Sequence, residues 1–322
     1  MTKDKEEKIQ DFAKENDEIK KKKAKKKQED KKEDEDGEKT KHVLFSVFIV
    51  FVLIGALFYL YAHYVGTKGM IVKEYNIINE SIPPSFDGFS IVQFSDLELG
   101  TTFTVADVEK LVSEINSLQP DLVVFTGDIV APHHFLTADE QTFLETQLAK
   151  IDANIGKYSV RGDDDQYTDV YNQVMAAADF KDLSNSYELI YYKGLTPIVI
   201  YGLDSLNAGV QDYAKTFSYP SIDEDVTYMA TYRILLAHEP DTIENIGEYN
   251  VSLMLSGHSH NSELNIPYLR DFYNIKGAKK YFGESYKVDG TELYISSGLG
   301  TSKFKVRLFD KPSISIYRLY TD

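Results

Sequence analysis

The chain contains no cysteine. That absence excludes a disulfide framework, a thiolate metal site and a cysteine nucleophile, and leaves His, Asp, Glu, Asn and backbone oxygen to hold any metal. Positive charge is also short. The 35 basic residues face 51 acidic ones for a net charge of −16, and beyond residue 42 the balance is 20 to 37. A domain of that sign repels a phosphate backbone, so nucleic acid is not an expected partner.

Across residues 43–65 (VLFSVFIVFVLIGALFYLYAHYV) formal charge is missing altogether, apart from whatever fraction of His63 is protonated. Roughly 20 apolar residues cross a bilayer, so this stretch is expected to be a transmembrane helix with the lipid bilayer as its partner. Tyr59, Tyr61 and Tyr64 gather at its C-terminal end, where amphipathic rings favour the interface, and the lysine excess lies on its N-terminal side. The positive-inside rule then gives a single-pass cell-membrane protein, N-terminus cytoplasmic and C-terminal domain extracytoplasmic. The rival reading, a cleaved signal peptide, lacks a clean small-x-small site and needs a 42-residue leader.

Residues 1–42 hold 15 lysines and 14 acidic residues, with Ile9, Phe12 and Ile19 the only large apolar side chains after Met1. Such a segment buries too little to offset its ordering entropy and is expected to be a disordered, at most transiently helical, cytoplasmic tail. Its lysine block at 20–27 suits anionic head groups, and the simpler reading is a solvated tail that sets topology.

Residues 66–322 read as one globular domain, with 43% hydrophobic content across the chain and ample material for a core. Short apolar runs predict strands at 90–95, 122–126, 158–161, 197–201, 233–237 and 252–255, then at 293–296, 304–309 and 313–319. Helices are expected over 105–118 and 136–151. The alternation predicts an α/β fold of packed sheets flanked by helices.

Carboxylates and imidazoles follow these strands, where loops build sites. They are Ser95-Asp96-Leu97-Glu98, Thr126-Gly127-Asp128, Arg161-Gly162-Asp163-Asp164-Asp165, Ala237-His238-Glu239-Pro240-Asp241 and Ser256-Gly257-His258-Ser259-His260. Singly each has a structural explanation, as a helix cap, a solvated turn or a core histidine. Together, with glycine beside three of them, they point to a metal site.

From residue 69 to the C-terminus the sequence resembles the calcineurin-like metallophosphoesterase superfamily, especially its bacterial membrane-associated branch. The resemblance rests on Gly127-Asp128, the run LLAHEPD ending at Asp241, the run LSGHSH ending at His260, and the closing YISSGLGTSKFKVRL. It implies a four-layered sandwich of two mixed sheets flanked by helices, with two divalent metals at the sheet ends. Hydrolysis of a phosphomonoester or phosphodiester by metal-activated water follows from that resemblance. It further implies that Asp96, Glu98, Asp128 and His260 hold one metal while Asp128, Asp163, His238 and His258 hold the other.

Departures from the family pattern are chemical. Glu98 replaces the histidine of Asp-x-His, Asp163 and Asp164 replace the Asn-His pair of the third motif, and Ala131 stands where an acidic partner of that histidine is expected. Four carboxylates facing two cations favour Mn2+ or Mg2+, with Ca2+, Zn2+ or iron as alternatives. Asp164 becomes the candidate general acid, and His134 the candidate replacement imidazole, against the reading of His133 and His134 as exposed loop residues. Asn261-Ser262-Glu263 stands where relatives carry Gly-Gly-Gln, so an altered substrate-facing loop is expected. Two readings remain: a membrane-anchored hydrolase of a phosphorylated small molecule, lipid head group or surface component, and a pseudo-phosphoesterase used as a cell-surface binding or scaffolding module. The sequence carries no sign of oligomeric state.

Overall fold

The computed structural model describes residues 3–166, 169–219, 229–263, 275–302 and 304–322. The chain divides into two units, residues 1–59 and 60–322. Helix α1 (Lys3–Tyr61) begins in the charged segment, which is therefore helical rather than irregular. Lysine, glutamate and glutamine are strong helix formers, and Asp17/Lys21 and Glu18/Lys22 stand at the favourable i, i+4 spacing. Its stretch Glu38–Gly66 is long and apolar enough to cross a membrane. The large apolar side chains from Val43 to Leu60 are exposed, unlike those of a core helix.

The second unit is built on two six-stranded sheets. The first contains β1 (Ile71–Ile78), β2 (Ser90–Phe94), β3 (Leu122–Phe125), β4 (Gly156–Ser159), β5 (Lys181–Asp182) and β12 (Ser313–Tyr320), ordered β1-β12-β2-β3-β4-β5. All its pairings are parallel except β12 with β2. The second contains β6 (Ser186–Ile190), β7 (Ile198–Gly202), β8 (Arg233–Leu236), β9 (Leu253–Ser256), β10 (Ser285–Val288) and β11 (Thr291–Ile295), ordered β10-β11-β9-β8-β7-β6. Its two edge pairings are antiparallel and the interior is parallel.

Strand alternation divides the apolar residues between layers. Ile91, Leu122 and Val124 join Ile200, Ile234, Leu236 and Leu255 in one core. Their neighbours Val92, Phe94, Val123 and Phe125 face the other way, into a core with residues of α2 (Val108–Ser117), α3 (Ala138–Leu148) and α4 (Val170–Ala177). The far face of the second sheet is covered by Ile243 and Ile246 with Tyr213, Phe217 and Tyr249. Two mixed sheets flanked by helices are the architecture expected.

One expected strand is absent. Residues 304–309 form an irregular loop in which Phe304 and Phe309 are exposed and Arg307 is fully buried. The alternation of FKVRLF is thus broken, with Arg307 and Leu308 both turned inward, and Arg307 is held by carbonyls: its Nη2 donates to Ser297 O and Gly300 O at 2.6 Å.

Candidate metal centre

Parallel pairing brings the C-terminal ends of β2, β3, β4, β8 and β9 into register, and the five motifs occupy the loops that follow. Backbone bonds fasten these loops together. Asp96 N–H donates to Gly127 O at 2.9 Å, Glu98 N–H to Asp128 O at 3.3 Å, and Gly257 N–H to His238 O at 2.9 Å. Asp96, Glu98, Asp128, His258 and His260 all adopt positive φ, between 44° and 67°. Each such residue costs about 1 kcal/mol, a strain retained where side-chain direction matters.

Asp128, Asp163, His238 and His258 form one tight group. His238 Nε2 lies 3.0 Å from Asp128 Oδ2 and 3.3 Å from Asp163 Oδ1, and His258 Nδ1 lies 3.1 Å from the same Asp163 oxygen. His260 Nε2 sits 3.3 Å from Asp96 Oδ1 and 3.9 Å from Glu98 Oε1. Glu98, Asp128 and Asp164 form a further close group. Close approach is enforced at Gly162, where a Cβ would stand 2.1 Å from Asp128 Oδ1.

The donor set fits divalent cations. Atoms about 2.1 Å from a shared cation lie about 3 Å apart when adjacent, the spacing of the His238, Asp128, Asp163 and His258 atoms. Asp96 Oδ2, Glu98 Oε2 and Asp163 Oδ1 are buried without a hydrogen-bond partner among the described residues, which is costly for carboxylate oxygens unless a cation satisfies them.

Outer contacts aim the imidazoles. His238 Nδ1 is 2.6 Å from Thr126 O and His258 Nε2 is 2.7 Å from Lys276 O. A carbonyl only accepts, so these nitrogens carry the protons and the opposite ones face the cluster. His260 Nδ1 is 3.1 Å from Glu263 Oε1. Glu263 is itself buried and accepts from Ser302 N–H. Within the Asn261-Ser262-Glu263 loop, Glu263 thus backs His260.

Electrostatics follow from crowding. Burial raises the Glu98 and Asp128 carboxyls, and neighbouring carboxylates add to the effect, Asp128 upon Glu98 and Asp163 upon Asp128. Asp164 is pushed up to about 7 by burial and by Asp128 and Asp163. Burial works against ionisation of Asp96 too, but His260 and His238 outweigh it and hold Asp96 at about 2. Burial opposes the charged form of His260, and Asp96 and Glu263 overcome it, lifting the ring to about 10. The cluster thus sets more carboxyl groups than imidazoles in one place, and their crowding opposes the ionisation of all of them together.

Three residues absent from the expected site support it. Asp165, read in the sequence as part of a solvated turn, is buried and accepts from the backbone N–H groups of Asp128, Ile129 and Gly162 at 2.8–2.9 Å. It ties the second motif to the third. Glu239 accepts from Ser205 Oγ and the N–H groups of Leu206 and Asn207, and Asn207 Nδ2 donates to Asp163 Oδ2 at 3.3 Å. Glu239 was visible beside His238, whereas Asn207 stands far from every motif. His134 is half-buried and packs on Gly100, where a Cβ would lie 2.3 Å from its Cγ. With Asp164 it lines a cavity of about 390 Å³. His133 is exposed.

Two mixed sheets bearing clustered His and carboxylate donors at parallel strand ends define a metallophosphoesterase-type architecture. Residues 89–262 match the sequence model of the family described as Calcineurin-like phosphoesterase. The uncharacterized metallophosphoesterase YkuE of Bacillus subtilis (strain 168) is 34% identical over 264 residues, spanning 81% of this chain and 89% of the relative. The UDP-2,3-diacylglucosamine pyrophosphatase LpxG of Chlamydia trachomatis is 26% identical over 75% of this chain and 87% of its own. A transmembrane protein with metallophosphoesterase domain from Danio rerio is 27% identical over 76% of this chain and 56% of that protein. The chain belongs to the calcineurin-like phosphoesterase family.

Proposed function

We propose that this protein is a membrane-anchored phosphoesterase with a two-cation centre, acting on a phosphate ester at the bilayer surface. The observation that carries the reading is the convergence of buried, unpartnered carboxylate oxygens with imidazole nitrogens at strand ends. Asp128, Asp163, His238 and His258 would hold one cation, and Asp96, Glu98 and His260 the other, with Asp128 shared. Divalent cations there supply Lewis acidity toward a phosphoryl oxygen and lower the pKa of a water. The chain's own residues do the rest. Thr126, Lys276 and Glu263 fix the imidazoles, Asp165 fixes the loop that carries Asp128, and His134, which lines the cavity with Asp164, would protonate a departing alkoxide.

Membrane attachment is supported by the apolar helix Glu38–Gly66 and by what surrounds its end. Arg307 N–H donates to Ala62 O at 3.0 Å, and His63 Nδ1 lies 2.6 Å from Lys305 O. Residues 62–66 are thereby joined to the loop that exposes Phe304 and Phe309. Through Arg307 that loop reaches Gly300, whose N–H donates to Asp96 O at 2.8 Å. A short run of contacts within this domain thus links residues 62–66 to the cluster, which suits a lipid head group or other surface phosphate as substrate. The LpxG relative, whose name gives an acylated sugar nucleotide as substrate, is consistent with that class. The lysine bias puts the N-terminus in the cytoplasm and this domain outside.

A second reading, a pseudo-phosphoesterase binding module, is favoured by one pair of residues, Ala131 and Asp164, where the family carries an acidic residue and its histidine. Hydrolysis of a nitrophenyl phosphodiester and a nitrophenyl phosphomonoester by the full chain in detergent, with Mn2+, Mg2+, Ca2+ or Zn2+, separates the two. Metal-dependent turnover abolished by Asp128→Asn supports the hydrolase. Metal binding without turnover supports the module.

A further inference from the structure

The residue that stands in place of the family's histidine has a different task. Asp164 opens a 3₁₀ turn, Asp164–Gln166, and its N–H donates to Asp128 Oδ1 at 3.0 Å. That bond, together with the grip of Asp165 on the N–H groups of Asp128, Ile129 and Gly162, fixes the turn against the shared carboxylate. The result is a third group of donors beside the mixed imidazole and carboxylate cluster. Glu98, Asp128 and Asp164 each present a carboxylate oxygen within 4.8 Å of the others. Among the described residues no lysine or arginine pairs with any of the three.

Three carboxylates in contact do not make a site by themselves. The independent sign is Glu98, which is 3% exposed, belongs to this group, and has an Oε2 with no hydrogen-bond partner. A buried carboxylate with an unpartnered oxygen, grouped with two further carboxylates, is strongly unfavourable unless a cation lies among them. Resting on the two-cation reading above, we propose that Asp164 is a metal ligand, completing with Glu98 and Asp128 an all-oxygen face that selects a hard divalent cation.

Two consequences follow. The centre becomes asymmetric: the His238/His258 half sets two imidazoles beside Asp128 and Asp163 and accepts Zn2+, Mn2+ or iron, while the other half sets one imidazole, His260, beside Asp96, Glu98, Asp128 and Asp164 and prefers Mn2+, Mg2+ or Ca2+. Leaving-group protonation then falls to His134, which with His133 shares the cavity lined by Asp164 and is the less exposed of the two.

The test is equilibrium binding of Mn2+ to the full chain in detergent, counted by elemental analysis after dialysis and by titration calorimetry. The wild type is expected to bind two Mn2+. Asp164→Asn is expected to bind one of them at least ten-fold more weakly and to keep the other, and Asp164→Glu to recover most of the loss. Near-unchanged thermal melting of the apo forms checks that the variants fold. Asp164→Asn binding both ions as the wild type does would overturn the assignment and leave the two-cation reading intact. A wild type that binds no Mn2+ would overturn both.

Discussion

In the proposed centre the two halves share one carboxylate, Asp128, and are otherwise built differently. On the His238/His258 side both rings are aimed by backbone carbonyls, those of Thr126 and Lys276, and the Asn207 side chain reaches Asp163. On the Glu98/Asp164 side the one imidazole, His260, is backed by a carboxylate, Glu263, and the carboxylate loops are held by positive φ at Asp96 and Glu98 and by N–H bonds to Asp165 and Asp128. On the proposed reading, the difference is how a family site would change metal preference without losing its donors. Glu98 and Asp163 stand where the family has ligands of another kind, so oxygen gains on nitrogen while the number of positions is kept.

The largest expected effect removes the residue both halves share. Asp128→Asn should bind neither Mn2+ nor Zn2+ tightly, abolish metal-dependent hydrolysis, and leave a chain whose melting temperature no longer responds to Mn2+. Next comes Asp165→Asn. Leaving up to three buried N–H groups poorly satisfied should cost about 2–4 kcal/mol, read as a lower denaturation midpoint, and should weaken both halves together. Then the halves can be separated. His258→Ala should lose Zn2+ binding and retain one Mn2+, whereas Glu98→Gln should retain Zn2+ and lose one Mn2+, both read by competitive dialysis. In the wild type, Mn2+ at about 100 times its Kd should add about 2.7 kcal/mol of stability for each occupied site, lost on chelation. His134→Ala sharpens the chemical assignment: it should slow turnover about 100-fold with an alkyl leaving group and far less with nitrophenolate, which needs no proton. Equal losses with both would remove His134 from that role.

Much of the fold was legible because buried parallel strands announce themselves as short apolar runs ending in small or acidic residues, as at Phe94-Ser95-Asp96 and Phe125-Thr126-Gly127-Asp128. Residues 304–309 misled for a physical reason. Their alternation is that of a strand, but the side chain taken inward is Arg307, which neighbouring carbonyls hold in place. The charged N-terminal segment was read through its poverty of apolar residues, which bears on packing, whereas its helix depends on local propensity. At the site, the motifs could be seen but their supports could not. Asp165 reads as the end of a polar turn until the three N–H groups it satisfies are known. Asn207 becomes visible only when β7 is laid beside β8.

The most direct test is the Mn2+ content of the purified full chain, measured together with its phosphodiesterase rate, in the wild type and in Asp128→Asn. Two bound ions and Mn2+-dependent hydrolysis in the wild type, with neither in the variant, are predicted. Equal ion content and equal rates in the two proteins would contradict the centre described for this chain.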